Sequence, residues 1–489
     1  MRCTRNVKWV EGLRGLTSFL VIITHIARAF DYSLFFPRDF DDDITVPRFW
    51  QLPIIRIPFQ GRVGVPIFAF LTGFVCAYKP LKLAYQNQNQ NAALHSIAKS
   101  AFRRAPRLIL PAAIATTISC IFCIFGGYHT SSHCDAYYVR FDSPIQQETL
   151  WLELQNWLRM LGQTWTTTEN LYDRHQWAMR PLLIGAFQVY VVLAATMGMK
   201  FQFRIAVHGI LMAYWWGNRG LFTETFASPI TLGTLIAELS LHQPTQNFLA
   251  AHNRVFTWIV APIILLSGLY FGSYPQENEY WSPWSAALSD IFVINPDPVT
   301  GAPRGSLLIP WETDPRRRTS SVAVQLTAIS IFLSPSFREA LSHRWLMWLG
   351  THSFAVYLVH GTILRTIGMW IAYGMSGEGY IPGGWNPDGS EYPPVWIERK
   401  SGGYVLTAIV VFICLTYLAA WAWMKYVDRA CAEVTQWLEK RAFQEEDEAA
   451  ERQGEAEKGF GDRRSPNHDM MHGEPSRSGN GSPAQIVLR

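Results

Sequence analysis

The chain has 489 residues, of which 49% are hydrophobic and only 16% charged, with a formal net charge of +4. Soluble domains carry about 25% charged residues, so this balance excludes a mainly disordered chain and weighs against a soluble multidomain protein. The net charge is too small to suggest a nucleic-acid partner.

A membrane-spanning helix needs about 20 mostly apolar residues to cross about 30 Å of hydrocarbon. Such runs fall at roughly 13–30, 62–79, 107–127, 180–199, 202–217, 227–242, 254–273, 320–335, 346–373 and 403–426. They predict an all-α integral membrane protein, a bundle of about ten transmembrane helices. The 20 Trp fit this, because indole rings collect at membrane interfaces. The first run holds Thr24, His25 and Arg28 and lacks a small-residue cleavage site, so it reads as a retained helix and not a signal peptide. Residues 1–12 form the N-terminal segment, 13–430 the membrane domain and 431–489 a tail. From 441 the tail turns charged, then rich in Gly, Ser and Pro, and is expected to be largely disordered.

Lys and Arg set the orientation. Arg2, Arg5 and Lys8 precede the first run, while Lys79, Lys82, Lys99, Arg103, Arg104 and Arg107 follow the second. Lys200 and Arg204 follow the fourth, Arg338 and Arg344 the eighth, and Lys425, Arg429, Lys440 and Arg441 the last. All fall on one side, which puts both termini in the cytosol of an endomembrane. Arg316, Arg317 and Arg318 oppose the trend, but they sit in a long loop, where the rule is weak. The sequon Asn480-Gly481-Ser482 lies in the tail and should carry no glycan. Seven Cys lie without a disulfide framework, several in apolar runs such as "ISCIFCIF". Cys120 and Cys123 form a C-x-x-C without partner ligands, so they read as buried thiols and no metal is expected.

Ionisable residues inside spans are costly and usually functional. Arg14 and His25 share the first run, eleven residues apart. On a helix that is about 20° past three full turns and about 16 Å of rise, so they share a face at different depths. A snorkelling Arg and a satisfied core His would look the same. Arg104 and Arg107 in "FRRAPRLILP" project from one side of a helix and could clamp phosphate or anchor to headgroups. Glu238 in "ITLGTLIAELSL" is an interfacial acid or a buried one that orients a His or Arg. His360 lies in "SFAVYLVHG" with Ser353 and Tyr357, and His175 and Trp177 stand just ahead of the fourth run, near the outer surface. "HTSSHC" at 129–134 reads as an ordinary loop. There is no P-loop, dinucleotide fingerprint or internal repeat.

The assembly resembles the acyltransferase-3 family of polytopic membrane acyltransferases, in its filamentous-fungal form. "WVEGLRGLTSFLVIITHI" is similar to the family's first helix, with its Arg and His at Arg14 and His25. "RAPR" matches its R-x-x-R at Arg104 and Arg107, and Thr72-Gly73 stands where Ser-Gly is usual. "LGTLIAEL" and "LGTHSFAVYLVHG" resemble later blocks, so the likeness runs in order over roughly 8–430. One block departs. Where the fungal pattern reads approximately "YDPHLWTIPVEFRGS", this chain has "YDRHQWAMRPLLIGA", with Leu182 and Ile184 at the acidic and basic positions. That departure implies altered acceptor specificity or lost activity.

The resemblance implies transfer of an acyl group, commonly acetyl, from acyl-CoA to a hydroxyl of a small natural product (a terpenoid or polyketide) or a sugar. His25 would be the general base, with Arg14 and Glu238 as further catalytic candidates. Arg14 stands about 16 Å from His25 along a helix, so it suits phosphate or a structural acid better than the reacting atom. Arg104 and Arg107 would bind the CoA phosphates, and His175, Trp177, Tyr357 and His360 the acceptor. Membrane lipids and the hydroxylated acceptor are the expected partners. A non-catalytic relative and a small-molecule transporter are the alternatives; a transporter should show repeated halves.

Overall fold

The computed structural model describes residues 7–38, 47–87, 90–294, 304–305, 314–388 and 390–443. Arg2, Arg5, the tail from 444 and its sequon lie outside them. By internal packing the chain divides into two units, 1–436 and 437–489. In the second, the described residues 437–442 are helical.

The first unit is helical. Its long elements are α1 (Lys8–Phe30), α2 (Gly61–Asn87), α3 (Gln90–Ile124), α4 (Leu150–Thr166), α5 (Met179–Thr196) and α6 (Phe201–Gly217). They continue with α7 (Ser228–Leu241), α8 (Ala261–Gly272), α9 (Pro315–Leu333), α10 (Arg344–Ile363) and α11 (Gly402–Trp423). The strands among the described residues are two-residue hairpin arms, Val293–Ile294 with Arg304–Gly305 and Gly384–Trp385 with Glu391–Tyr392.

A helix lies at each of the ten expected runs, but length and apolarity qualify fewer as spans. Among the described residues seven helices are long and apolar enough to cross a membrane. There are eight if α9 and its continuation Pro335–Leu341, bent by 105° at Ser334, count as one. α6 has 17 residues and α7 has 14, and neither is among them.

Between lipid-embedded helices there is no hydrophobic driving force, so close packing through small residues does the work. The two most intimate pairs, α2 with α7 and α1 with α10, show it. A Cβ on Gly73 would stand 2.0 Å from the Ile230 carbonyl oxygen, and one on Gly233 2.2 Å from that of Phe70. Gly350 presses on the Glu11 carbonyl in the same way. α1 and α2 run antiparallel: Gly61 abuts Thr24, while Trp9 packs on Phe74 with ring centroids 5.2 Å apart. One end of this pair therefore carries Arg14 and Lys79, and the other His25, Arg28 and Arg62.

Candidate active site

Three imidazoles from three separate elements meet at the second of these ends. His25 comes from α1, His175 from the 3₁₀ turn Arg174–Ala178 that leads into α5, and His360 from the last turn of α10. Ring centroids lie 4.3 Å apart for His25 and His175, 5.0 Å for His25 and His360, and 4.7 Å for His175 and His360.

Local sequence fixes two of the rings. Asp173 caps the 3₁₀ turn: its Oδ1 accepts from the His175 backbone N–H at 3.3 Å and from His175 Nδ1 at 3.0 Å. Gln176 Nε2 donates to Asp173 Oδ2 at 3.3 Å. Arg365 stands on the π-turn Leu364–Gly368 that continues α10, and its guanidinium reaches Asp173 Oδ1 at 3.4 Å and the Tyr172 carbonyl at 3.2 Å. Burial pushes the Asp173 carboxyl up, against the pull of Arg365 and His360. His360 Nδ1 lies 3.0 Å from the Val356 carbonyl and 2.9 Å from that of Tyr357. Both rings therefore carry their proton on Nδ1 and leave Nε2 as a lone pair. His360 Nε2 is buried without a partner, and the His360 residue is 1% exposed. Tyr357 Oη donates to the His175 carbonyl and braces the turn. Gly361 makes room: a Cβ there would sit 2.4 Å from His175 Nδ1.

A cavity of about 1200 Å³ joins this cluster to the opposite end of α1. His25, Arg28, Arg62, His175, Trp177 and Tyr357 line it near the imidazoles, and Arg14, Lys79, Arg103, Arg104 and Arg107 line it near the other end. Arg14 lies 3.2 Å from Glu11, and Arg104 3.4 Å from the Thr72 hydroxyl. Between them the wall is apolar, with Phe68, Leu71 and Leu182 among its residues.

The expected site residues divide in three. His25, His175 and His360 form one cluster with Tyr357 beside it, and His175 is buried. Arg14 on α1 and Arg104 and Arg107 on α3 share the cationic end of the cavity. Glu238 stands apart from both. It is fully buried on α7, does not line the cavity, and accepts from Arg204 Nε at 2.6 Å and Tyr85 Oη at 3.1 Å, with His208 Nε2 at 3.6 Å. It orients an Arg, one of the two roles its sequence context allowed.

The two positions that depart from the fungal pattern also separate. Leu182 lines the cavity, while Ile184 points outward and is 40% exposed. Cys120 and Cys123 are free buried thiols. His129 and His133 stack on each other beside Tyr380, outside any group of three metal-binding side chains among the described residues. Asp173 and Arg365 were not singled out as site residues from the sequence. The Asp-x-His spacing, which fits a capping Asp, was the available signal; Arg365 had none beyond standing five residues after His360.

The sequence profile of a family described as an acyltransferase domain matches residues 7–424. The chain is similar to O-acetyltransferase PaAT-1 of Phomopsis amygdali, at 23% identity over 473 residues, covering 91% of this chain and 86% of that protein. It is also similar to acyltransferase R4 of a Phoma species, at 22% identity over 76% of this chain and 86% of the relative. Acyltransferase clz18 of Cochliobolus lunatus is 21% identical over 84% of this chain and 91% of its own length. No solved structure matches. A profile that takes in α1 to α11, together with relatives aligned over most of their lengths, shows that the chain belongs to the acyltransferase-3 family of membrane acyltransferases.

Proposed function

We propose that this protein moves an acyl group, acetyl foremost, from acyl-CoA to a hydroxyl of a small natural product or a sugar. The observation that carries the reading is the single cavity with arginines at one end and imidazoles at the other. The rise from Arg14 to His25 is about 16 Å, a length suited to an extended pantetheine arm. Arg104, Arg107 and Arg14 hold the phosphates, since guanidinium forks bind phosphate oxygens bidentately. The thioester then lies at the cluster. In the simplest form of the reaction, His25 on the cavity wall takes the proton of the acceptor hydroxyl. The oxygen forms a bond to the thioester carbon, the C–S bond breaks, and the proton passes to the departing thiolate. No serine or cysteine nucleophile is needed. The name O-acetyltransferase carried by one relative supports both the group moved and the atom that receives it.

The positive charge around the α1 N-terminus and the α2–α3 connection supports donor access from the cytosol. Trp177 and Tyr357 give the acceptor flat apolar faces that suit a terpenoid, a polyketide or a sugar ring. Leu182 on the wall favours a reading in which the acceptor is apolar at that point.

The test is acetyl-CoA binding to detergent-purified protein, wild type beside an Arg104→Ala/Arg107→Ala variant. Saturable binding that the variant loses is the expected result. A folded wild type that binds neither acetyl-CoA nor a longer-chain acyl-CoA would overturn the reading.

A further inference from the structure

The two fixed rings leave an imbalance. His175 and His360 both keep Nε2 as a lone pair, because a carboxylate and two carbonyls hold their Nδ1 protons. His25 has at most one N–H to offer to two such acceptors. His360 Nε2 has no partner although it is buried, and a buried acceptor left unmade costs about 1–3 kcal/mol. Something electron-poor belongs among these nitrogens.

We propose that His25, His175 and His360 form a binding site for one divalent transition-metal ion of the zinc class. One ring nitrogen of each lies within 4.8 Å of those of the other two. A tetrahedral ion with bonds of about 2.0–2.1 Å needs ligand nitrogens about 3.3 Å apart, so small ring rotations close the site. The surroundings match those of a metal-bound histidine, whose non-ligating N–H is held by a carboxylate or a carbonyl. Asp173 does this for His175, and the α10 carbonyls do it for His360. Three neutral imidazoles leave a fourth position, and the cavity, lined by His25 and His175, gives access to it. Open sites of that composition activate a bound oxygen. Charge is consistent. Arg365 is balanced by Asp173 at 3.4 Å, and Arg28, one turn beyond His25, donates to Gln276 Oε1 at 3.3 Å.

The site rests on the geometry of the cluster and not on acyl transfer. It refines the reading above: with an ion bound, His25 would serve as a ligand and not as the base, and the ion would polarise the acceptor hydroxyl, whose proton would pass to the thiolate that departs as the C–S bond breaks. Imidazole donors suit zinc, copper, iron and nickel alike, so the class is borderline transition metal.

The experiment uses the full chain purified through a tag without histidine, and measures total metal before and after equilibration with zinc or cobalt. About one ion per chain is expected. It should fall to background in His25→Gln and His360→Gln variants that keep the wild-type melting profile and elution volume. Cobalt should give visible absorption bands in the wild type that both variants lose. If His360→Gln does not fold, His25→Gln decides, since His25 lies on the cavity wall. A wild type that retains no ion and shows no cobalt spectrum overturns the proposal, and so does metal content equal in wild type and variants. Acetyl-CoA binding is read separately, so a metal without donor binding sinks the transfer reading alone, and donor binding without metal sinks this one alone.

Discussion

An imidazole that handles a proton or a metal needs its other nitrogen held. In this protein the holding groups come from the residues around the cluster, and each can be perturbed without touching His25. Asp173→Asn keeps the size of the side chain and removes the charge that fixes the His175 tautomer. Activity should fall on the order of 10²–10⁴-fold, with acetyl-CoA affinity unchanged. Measured as CoA release over a panel of hydroxylated acceptors, a variant as active as wild type would show that Asp173 merely caps its turn. Gly361→Ala is a steric version of the same test. Its Cβ would meet His175 Nδ1 at 2.4 Å, so the ring must turn away. We expect a melting temperature lowered by a few degrees, in line with about 1–3 kcal/mol for a crowded core position, and turnover reduced at least about tenfold in the protein that stays folded. His25→Ala should abolish turnover while the protein still inserts into membranes, and normal transfer by that variant would remove His25 from the chemistry. The sequence offered His25, His175 and His360 separately, His25 also readable as a satisfied core histidine and His175 as a residue near the outer surface. Their meeting depends on three elements far apart in the chain, and no local spacing encodes it.

At the scale of elements, Glu238 shows what a stretch of sequence leaves open. An acid late in an apolar run reads as interfacial or as a buried group that orients a His or Arg, and the resemblance made it a catalytic candidate as well. The structure gives it the buried role away from the cavity, with α6 supplying Arg204 and His208 and α2 supplying Tyr85. Arg204, expected as one more positive charge beside the membrane, is instead 8% exposed and paired. Removing one member of a buried pair leaves the other charged and alone, at about 3–5 kcal/mol. Glu238→Ala should therefore lower the melting temperature in detergent sharply, while the fraction that stays folded binds acetyl-CoA with wild-type affinity. Weakened donor binding at unchanged stability would return Glu238 to the site. Helix existence was legible from apolar runs alone. What the runs could not show was which helices are both long and apolar enough to cross, a condition that α6 and α7 do not meet.

That shortfall matters for the whole molecule, because the parity of the span count fixes which side the tail occupies. With the N-terminus in the cytosol, eight or ten spans return the C-terminus to the cytosol, and seven send it across. The charge pattern favours an even number. Lys425 and Arg429 follow α11 as Lys79 and Lys82 follow the apolar part of α2, and positive flanks of short segments stay inside. Among the described residues, the bent pair Pro315–Leu333 and Pro335–Leu341 supplies the eighth span if it crosses as one unit. The sequon at Asn480 reads out the answer in a eukaryotic host. A cytosolic tail leaves it bare, so treatment with an N-glycosidase should not change the mobility of the protein. A second sequon, placed in the segment 375–401 between α10 and α11, should be glycosylated, because one span separates it from the tail. A mobility shift from Asn480 itself, with the inserted site bare, would put the tail across the membrane, through an odd span count or a reversed orientation. Only the reversed orientation would move the Arg104 and Arg107 end of the cavity away from the cytosolic side, where the proposed donor is drawn.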